Sequence, residues 1–210
     1  MADNYLEKQM EKWQESHKTV IKRANPSLDT LLRRNRSYRG YDPARKVTRE
    51  ELRAIVETCT LVPSGMNRQP LRFRLVTAEE AGKVLPLIKM GAALPEEHLP
   101  KDGMQPEAFL IACSMVPEDK AVWIDLGIAA QSMLLKAVEM GLNGIFVLNF
   151  QVQALQDSLG LPLKPLAVIA IGKGAEDIYL KPVDEGEDLT YYRKNGVHFV
   201  PKRKVDDLIL

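Results

Sequence analysis

The chain has 210 residues, 45% of them hydrophobic, enough for one core of domain size. Its 29 Lys and Arg against 28 Asp and Glu leave a net charge of +1, which gives no bulk attraction to nucleic acid or to an anionic membrane. No run approaches the ~20 apolar residues of a membrane span and no apolar leader opens the chain, so a soluble cytoplasmic protein is expected.

In chain order, Leu6, Met10, Trp13, His17 and Val20 recur every three or four residues and predict an amphipathic helix that needs another surface to cover it. A short helical run from Leu28 to Arg34 follows, then the basic segment Asn35-Arg36-Ser37-Tyr38-Arg39. Guanidinium groups beside a hydroxyl suit an anion such as a phosphate, whose oxygens they bind bidentately; a solvated basic surface is the plainer reading. Leu52, Ile55, Val56 and Cys59 lie at helical spacing behind Thr48-x-x-Glu51, a capping box. The helix runs into Val62-Pro63-Ser64-Gly65-Met66-Asn67-Arg68-Gln69-Pro70, a polar loop held between that helix and a strand beginning at Arg72. Ser64, Asn67 and Gln69 there offer donors and acceptors suited to a flat heterocycle, or else to their own backbone.

Strands are expected at Arg72 to Thr77, Ala108 to Ser114, Ile145 to Asn149 and Ala167 to Ile171, alternating with helices. That order argues for an α+β or mixed α/β sandwich forming a single domain over residues 1–210. Between the first two strands, Leu85 to Gln105 carries Pro86, Gly91, Pro95, Pro100 and Gly103 and reads as a flexible lid, with Leu94, His98, Leu99 and Met104 roofing a substrate or lying on an ordinary surface. From Trp123 onward, Leu126, Ala130, Met133, Leu134, Ala137 and Val138 form a broad apolar stripe, and Gly141 stands where a left-handed cap belongs. Ile171-Gly172-Lys173-Gly174 has the wrong spacing for a dinucleotide fingerprint or a P-loop and is read as a strand end and turn. The tail from Pro182 is poor in regular pattern yet carries the basic run Pro201-Lys202-Arg203-Lys204, so it is expected to wrap back onto folded protein. Cys59 and Cys113 lack paired spacing and read as reduced core thiols, and His17, His98 and His198 are too isolated to suggest a metal site.

Together, the segments around Arg36, Pro63 to Pro70 and Lys202 resemble the nitroreductase family of FMN-dependent oxidoreductases, and the resemblance extends over most of the chain. It implies a three-layer α+β sandwich with a mostly antiparallel central sheet flanked by helices, and a homodimer whose C-terminal arms are exchanged. It further implies that Arg36, Ser37 and Arg39 hold the FMN phosphate, with Asn35 where the family usually has a basic residue. Pro63, Ser64, Met66, Asn67 and Gln69 would address the flavin, Leu148 and Asn149 would lie beside its ring, and Lys202 and Lys204 would complete the phosphate site. The implied activity takes a hydride from NADH or NADPH and reduces nitroaromatics, quinones or a related small acceptor by a ping-pong mechanism. No side chain is expected to act as catalytic acid or nucleophile, since the flavin carries the chemistry. An FMN-binding carrier or sensor with little turnover is the alternative.

Overall fold

The computed structural model describes Lys8, residues 26–92 and residues 94–210; the amphipathic helix expected around Leu6 to Val20 lies outside the described residues. Helix α1 occupies Leu28–Arg34 and helix α2 Arg49–Glu57. Ser27 caps α1 through its side chain. Thr48 and Glu51 cap α2 reciprocally, as the capping box requires, so two backbone donors at that end are satisfied locally.

Strands β1 (Leu71–Val76), β2 (Ala108–Ser114), β3 (Asn143–Val147) and β4 (Pro165–Gly172) form one sheet in the order β1-β2-β4-β3, with every pairing antiparallel. Helix α3 (Lys120–Glu139) links β2 to β3, and helix α4 (Val152–Leu159) links β3 to β4. Alternation along the two central strands builds a core on each side of the sheet. Leu110, Ile169 and Ile171 point to α2 and α3, where Leu52, Ile55, Met133 and Ala137 meet them. Phe109, Ile111, Val168 and Ala170 point the other way, to Leu155 of α4 and to Val84, Ile88 and Met90. Burial on both faces explains why β2 and β4 read as continuous apolar runs. Helices, sheet and helix form three layers, so the protein is α+β with an antiparallel central sheet.

Helix α3 has the length and apolarity of a membrane-spanning segment. One face of it packs on the sheet, with Leu126, Met133 and Ala137 fully buried, while Trp123 and Ile124 are exposed. The helix ends in a Schellman turn: Leu142 N–H reaches Ala137 O at 2.8 Å, Gly141 N–H reaches Val138 O at 3.0 Å, and Gly141 has φ 77°.

Two expectations change. The span from Leu85 to Gln105 is a strap across the core, not a free lid: Ile88 bridges to Phe150, and Ile88, Met90 and Leu94 are buried. The C-terminal tail, expected to lack regular structure, forms a second sheet of β5 (Asp177–Val183), β6 (Tyr192–Lys194) and β7 (Val197–Arg203), ordered β5-β7-β6. Pairing of β5 with β7 is parallel and of β6 with β7 antiparallel. Lys, Arg and Pro dilute the alternation of these short strands, and the pairing that stabilises them is remote in sequence.

Candidate functional site: two cavities on either side of one helix

The segment after α1 is fixed by the core sheet. Ser37 bridges to Gly144 of β3, and Tyr38 N–H donates to Gly144 O at 3.2 Å. Gly144 admits no side chain, because a Cβ there would stand 2.5 Å from Ala170 O and 2.7 Å from Leu134 Cδ2. Gly174 is likewise closed by Tyr38, whose ring atoms would lie 2.3 Å from a Cβ. These close approaches hold Arg36, Ser37 and Arg39 over the edge of β3.

There they border a cavity of about 380 Å³, whose other walls include Gln131 of α3, Gly144 to Phe146 of β3, Tyr191, and His198, Val200 and Lys202 of β7. The strand's period of two explains the last three, which share one face. Arg36 donates to Leu32 O at 2.7 Å, while its Nε is buried without a hydrogen-bond partner. Burial holds the Arg36 pKa below the ordinary arginine value. Arg39, 8% exposed, donates to Ser37 O at 2.9 Å and lies 4.6 Å above the Tyr191 ring, and its Nε is also unpartnered. Glu176 anchors this region by accepting from the Arg39 and Gly40 backbone and pairing with Arg193. Asn35 donates to Gln131 Oε1 at 3.3 Å, so it braces the wall.

The loop from Pro63 to Pro70 borders a different and more apolar cavity of about 360 Å³, lined by Val56, Cys59, Pro63, Ser64, Gln69, Phe73 and Asp125, among others. Asp125, 4% exposed on α3, organises the loop. Ser64 Oγ–H donates to Asp125 Oδ2 at 2.6 Å and Gly65 N–H to Oδ1 at 2.9 Å. Gln69 N–H donates to Ser64 Oγ at 2.9 Å, and Gln69 Nε2 to Asn67 Oδ1 at 2.9 Å. This network holds Met66, Asn67 and Gln69 at φ 53°, 54° and 47°. Left-handed backbone at a non-glycine residue costs about 1–3 kcal/mol, so the Asp125 bonds offset stored strain. Burial pushes the neighbouring Cys59 thiol up to about 11, leaving it protonated and a poor nucleophile.

One chain therefore brings together Arg36, Ser37, Arg39 and Lys202 in one place, and Pro63, Ser64 and Gln69 in another. Ala129 lines the second cavity and Gln131 the first. Two residues along a helix turn by about 200°, so the cavities open on opposite sides of α3. Met66 and Asn67 stand exposed on the loop crest and line neither. Three expected site residues also lie apart from both. Lys204 pairs with Asp184 instead of the basic cavity, and Asp184 raises its pKa. Leu148 and Asn149 are exposed, because β3 spans Asn143–Val147 and not Ile145 to Asn149 as expected; Gly144 to Phe146 take the wall instead. Leu94, His98, Leu99 and Met104 line neither cavity. Tyr191 and His198 were missed. The alternation His198-x-Val200-x-Lys202, read as a strand, would have found His198.

Comparison with known proteins fits this architecture. The sequence profile described as Nitroreductase family matches residues 32–173. The Bacillus subtilis (strain 168) protein YdgI, an NAD(P)H nitroreductase by assigned name, is 40% identical over 55 residues, a match spanning 26% of this chain and 26% of YdgI. The nitroreductase family protein of Streptococcus pneumoniae TIGR4 superposes with a TM-score of 0.62 at 15% identity, covering 88% of this chain and 99% of that one. The FMN and NADPH-dependent nitroreductase NfnB from Sphigopyxis sp. strain HMH gives 0.60 at 22% identity, covering 71% and 89%. Those two likenesses carry the fold, and the profile, which takes in both the Arg36 segment and the Pro63 to Pro70 loop, carries the kinship: the chain belongs to the nitroreductase family.

Proposed function

We propose that the protein is an FMN-dependent oxidoreductase that draws on NADH or NADPH and reduces a nitroaromatic, a quinone or a related small acceptor in ping-pong fashion. The observation that carries this reading is the pair of buried, unpartnered Nε atoms of Arg36 and Arg39 beside Lys202 in a cavity of about 380 Å³. Buried donors without acceptors cost stability, and the guanidinium groups that carry them line the cavity, where a phosphate would meet their remaining N–H groups. Arg36, Ser37, Arg39 and Lys202 would hold that phosphate. When bound, the flavin supplies the hydride-accepting and hydride-donating chemistry. NfnB is described as FMN and NADPH-dependent, which favours the same cofactor pair here.

The loop from Pro63 to Pro70 faces the other side of α3, so its amides reach a flavin in the basic cavity only from a second copy of the chain. We infer a homodimer for that reason. Leu61 and Met66, 83% and 85% exposed, together with Trp123 and Ile124 on the outer face of α3, give the apolar surface that the second copy would cover. Lys202 already stands beside Arg36 in one chain, so the basic cavity needs no exchanged arm. In the dimer, Ser64 stays committed to Asp125 while Asn67 and Gln69 turn their remaining donors and acceptors to the ring edge.

Anaerobic absorbance spectroscopy of the purified protein tests the proposal. Flavin bands that bleach on adding NADH or NADPH are expected. Replacing Arg36 and Lys202 together by Ala should weaken FMN binding about 100-fold, since charge-assisted phosphate contacts are among the strongest a site offers. A yellow protein that neither nucleotide reduces would make the chain a flavin carrier or sensor instead. Unchanged FMN affinity in the double variant would remove the phosphate assignment.

A further inference from the structure

Of the groups around the basic cavity, His198 is the one whose placement the phosphate assignment leaves unexplained. The residue is 2% exposed, lines the cavity, and keeps its Nδ1 buried without a hydrogen-bond partner. Its strand pairs it with Arg193 of β6, and the Tyr191 ring stacks on it at 5.2 Å with an interplanar angle of 24°. A Val or Ile would fill such a strand position at no polar cost, whereas an orphaned buried ring nitrogen is destabilising.

The charges facing His198 come from every element around it. Arg39 lies on the segment after α1, Arg193 on β6, Glu176 just before β5, and Glu97 on the strap. Glu176 is already engaged by Arg193 and by the Arg39 and Gly40 backbone. Glu97 faces Arg193 at 3.9 Å and Lys101 at 3.4 Å. Burial first, then Arg39 and Arg193, hold the imidazole pKa below its ordinary value, with Glu176 and Glu97 opposing. At neutral pH the cavity therefore presents an uncharged imidazole among cations.

We propose that His198 is a protonation-linked anion ligand, which takes up a proton from solvent when a dianionic oxyanion enters the basic cavity. A neutral imidazole offers one N–H donor and an imidazolium offers two. Negative charge placed beside Arg39 opposes the coulombic part of what keeps the ring neutral, in surroundings where water screens little. The ligand class that follows is a terminal phosphate monoester or free phosphate, favoured over a monoanionic diester or a carboxylate, because a dianion offsets more of the positive charge around the ring than a monoanion does. The natural ligand rests on the flavin assignment above; the proton linkage does not.

Sulfate is the appropriate probe, since it mimics the dianion and does not itself titrate between pH 5 and 8.5. Imidazole carbon–proton resonances of the full-length isotope-labelled protein would be followed across that range with and without sulfate, and His198 assigned by its loss in His198→Gln. Saturating sulfate is expected to raise the His198 midpoint by about one pH unit, equivalent to about tenfold coupling between proton and anion. By the same linkage sulfate affinity should rise as pH falls from 8 to 5, by up to about tenfold, in the unsubstituted protein and stay level in His198→Gln. A His198 midpoint that does not move, or an absence of sulfate binding, overturns the proposal. So does the same movement in Arg36→Ala with Lys202→Ala, whose cavity has lost its anchoring cations. Parallel titrations with FMN and riboflavin separate the sources: a His198 response to sulfate without any FMN binding keeps the proton linkage and removes only the flavin assignment.

Discussion

The loop from Pro63 to Pro70 and the cavity around Arg36 are both polar sites beside α3, yet they spend their hydrogen bonds in opposite ways. Ser64 donates to Asp125, and Gln69 donates to Ser64 and to Asn67, so the loop holds its own shape through an internal network. Arg36, Arg39 and His198 retain buried nitrogens with no partner. A polar loop in a sequence is thus compatible with a closed internal network, whereas the side chains lining the basic cavity keep nitrogens that no protein group satisfies. The loop supplies shape and a presented edge, while the basic cavity supplies the demand for charge.

The sharpest way to break that contrast is to remove the loop's anchor. Asp125→Ala leaves the Ser64 hydroxyl and the Gly65 N–H without their acceptor and releases the strained turn, so urea denaturation should show a loss of about 3 kcal/mol. Asp125→Asn, which keeps one carbonyl acceptor, should lose less. If Asp125→Ala matched the unsubstituted protein, the loop would be held by its proline and strand ends, and the contrast with the open cavity would lose its basis.

A smaller effect is expected from the cavity itself. The folded pKa of His198 lies below its unfolded value near 6.5, so the unfolded chain binds the proton first as pH falls. Stability contributed by the neutral imidazole is complete above pH 6.5 and is lost as pH falls toward the folded pKa. His198→Gln should flatten this part of the stability profile in the absence of anions, and sulfate should flatten it in the unsubstituted protein. A slope unchanged by the substitution would assign the acid sensitivity to other groups.

The smallest effect belongs to Lys204, whose ammonium group pairs with the exposed Asp184 outside both cavities. Lys204→Ala should leave both the thermal midpoint and FMN affinity unchanged, because such exposed pairs contribute little. A marked loss of FMN affinity in Lys204→Ala would place the C-terminal turn within the site.

Much of the central architecture was legible because local signals agreed with it. Helix α1 begins and ends at Leu28 and Arg34 as read, β2 spans Ala108 to Ser114, and the Thr48 to Glu51 box opens α2. The role of Asp125 as the acceptor for Ser64 and Gly65 depends on residues sixty positions away and leaves no mark at short range. Strand β3 was displaced by two residues because Ile145 to Asn149 is the more apolar window. Close packing of Gly144 under Ala170 O decides the register instead. The second sheet escaped notice since its charged, proline-bearing strands pair only once the chain has returned to the core.

The sequence by itself determined the helices, the doubly buried strands and the residue types that a phosphate and a flat heterocycle call for, since each depends on periodicity, capping or side-chain chemistry within a few positions. Only the tertiary structure decided that the Arg36 segment and the Pro63 loop face opposite sides of α3, that Lys202 joins the basic cavity while Lys204 does not, and that His198 is buried among cations. Those facts depend on long-range register and on which buried donors find acceptors, quantities that no local pattern contains.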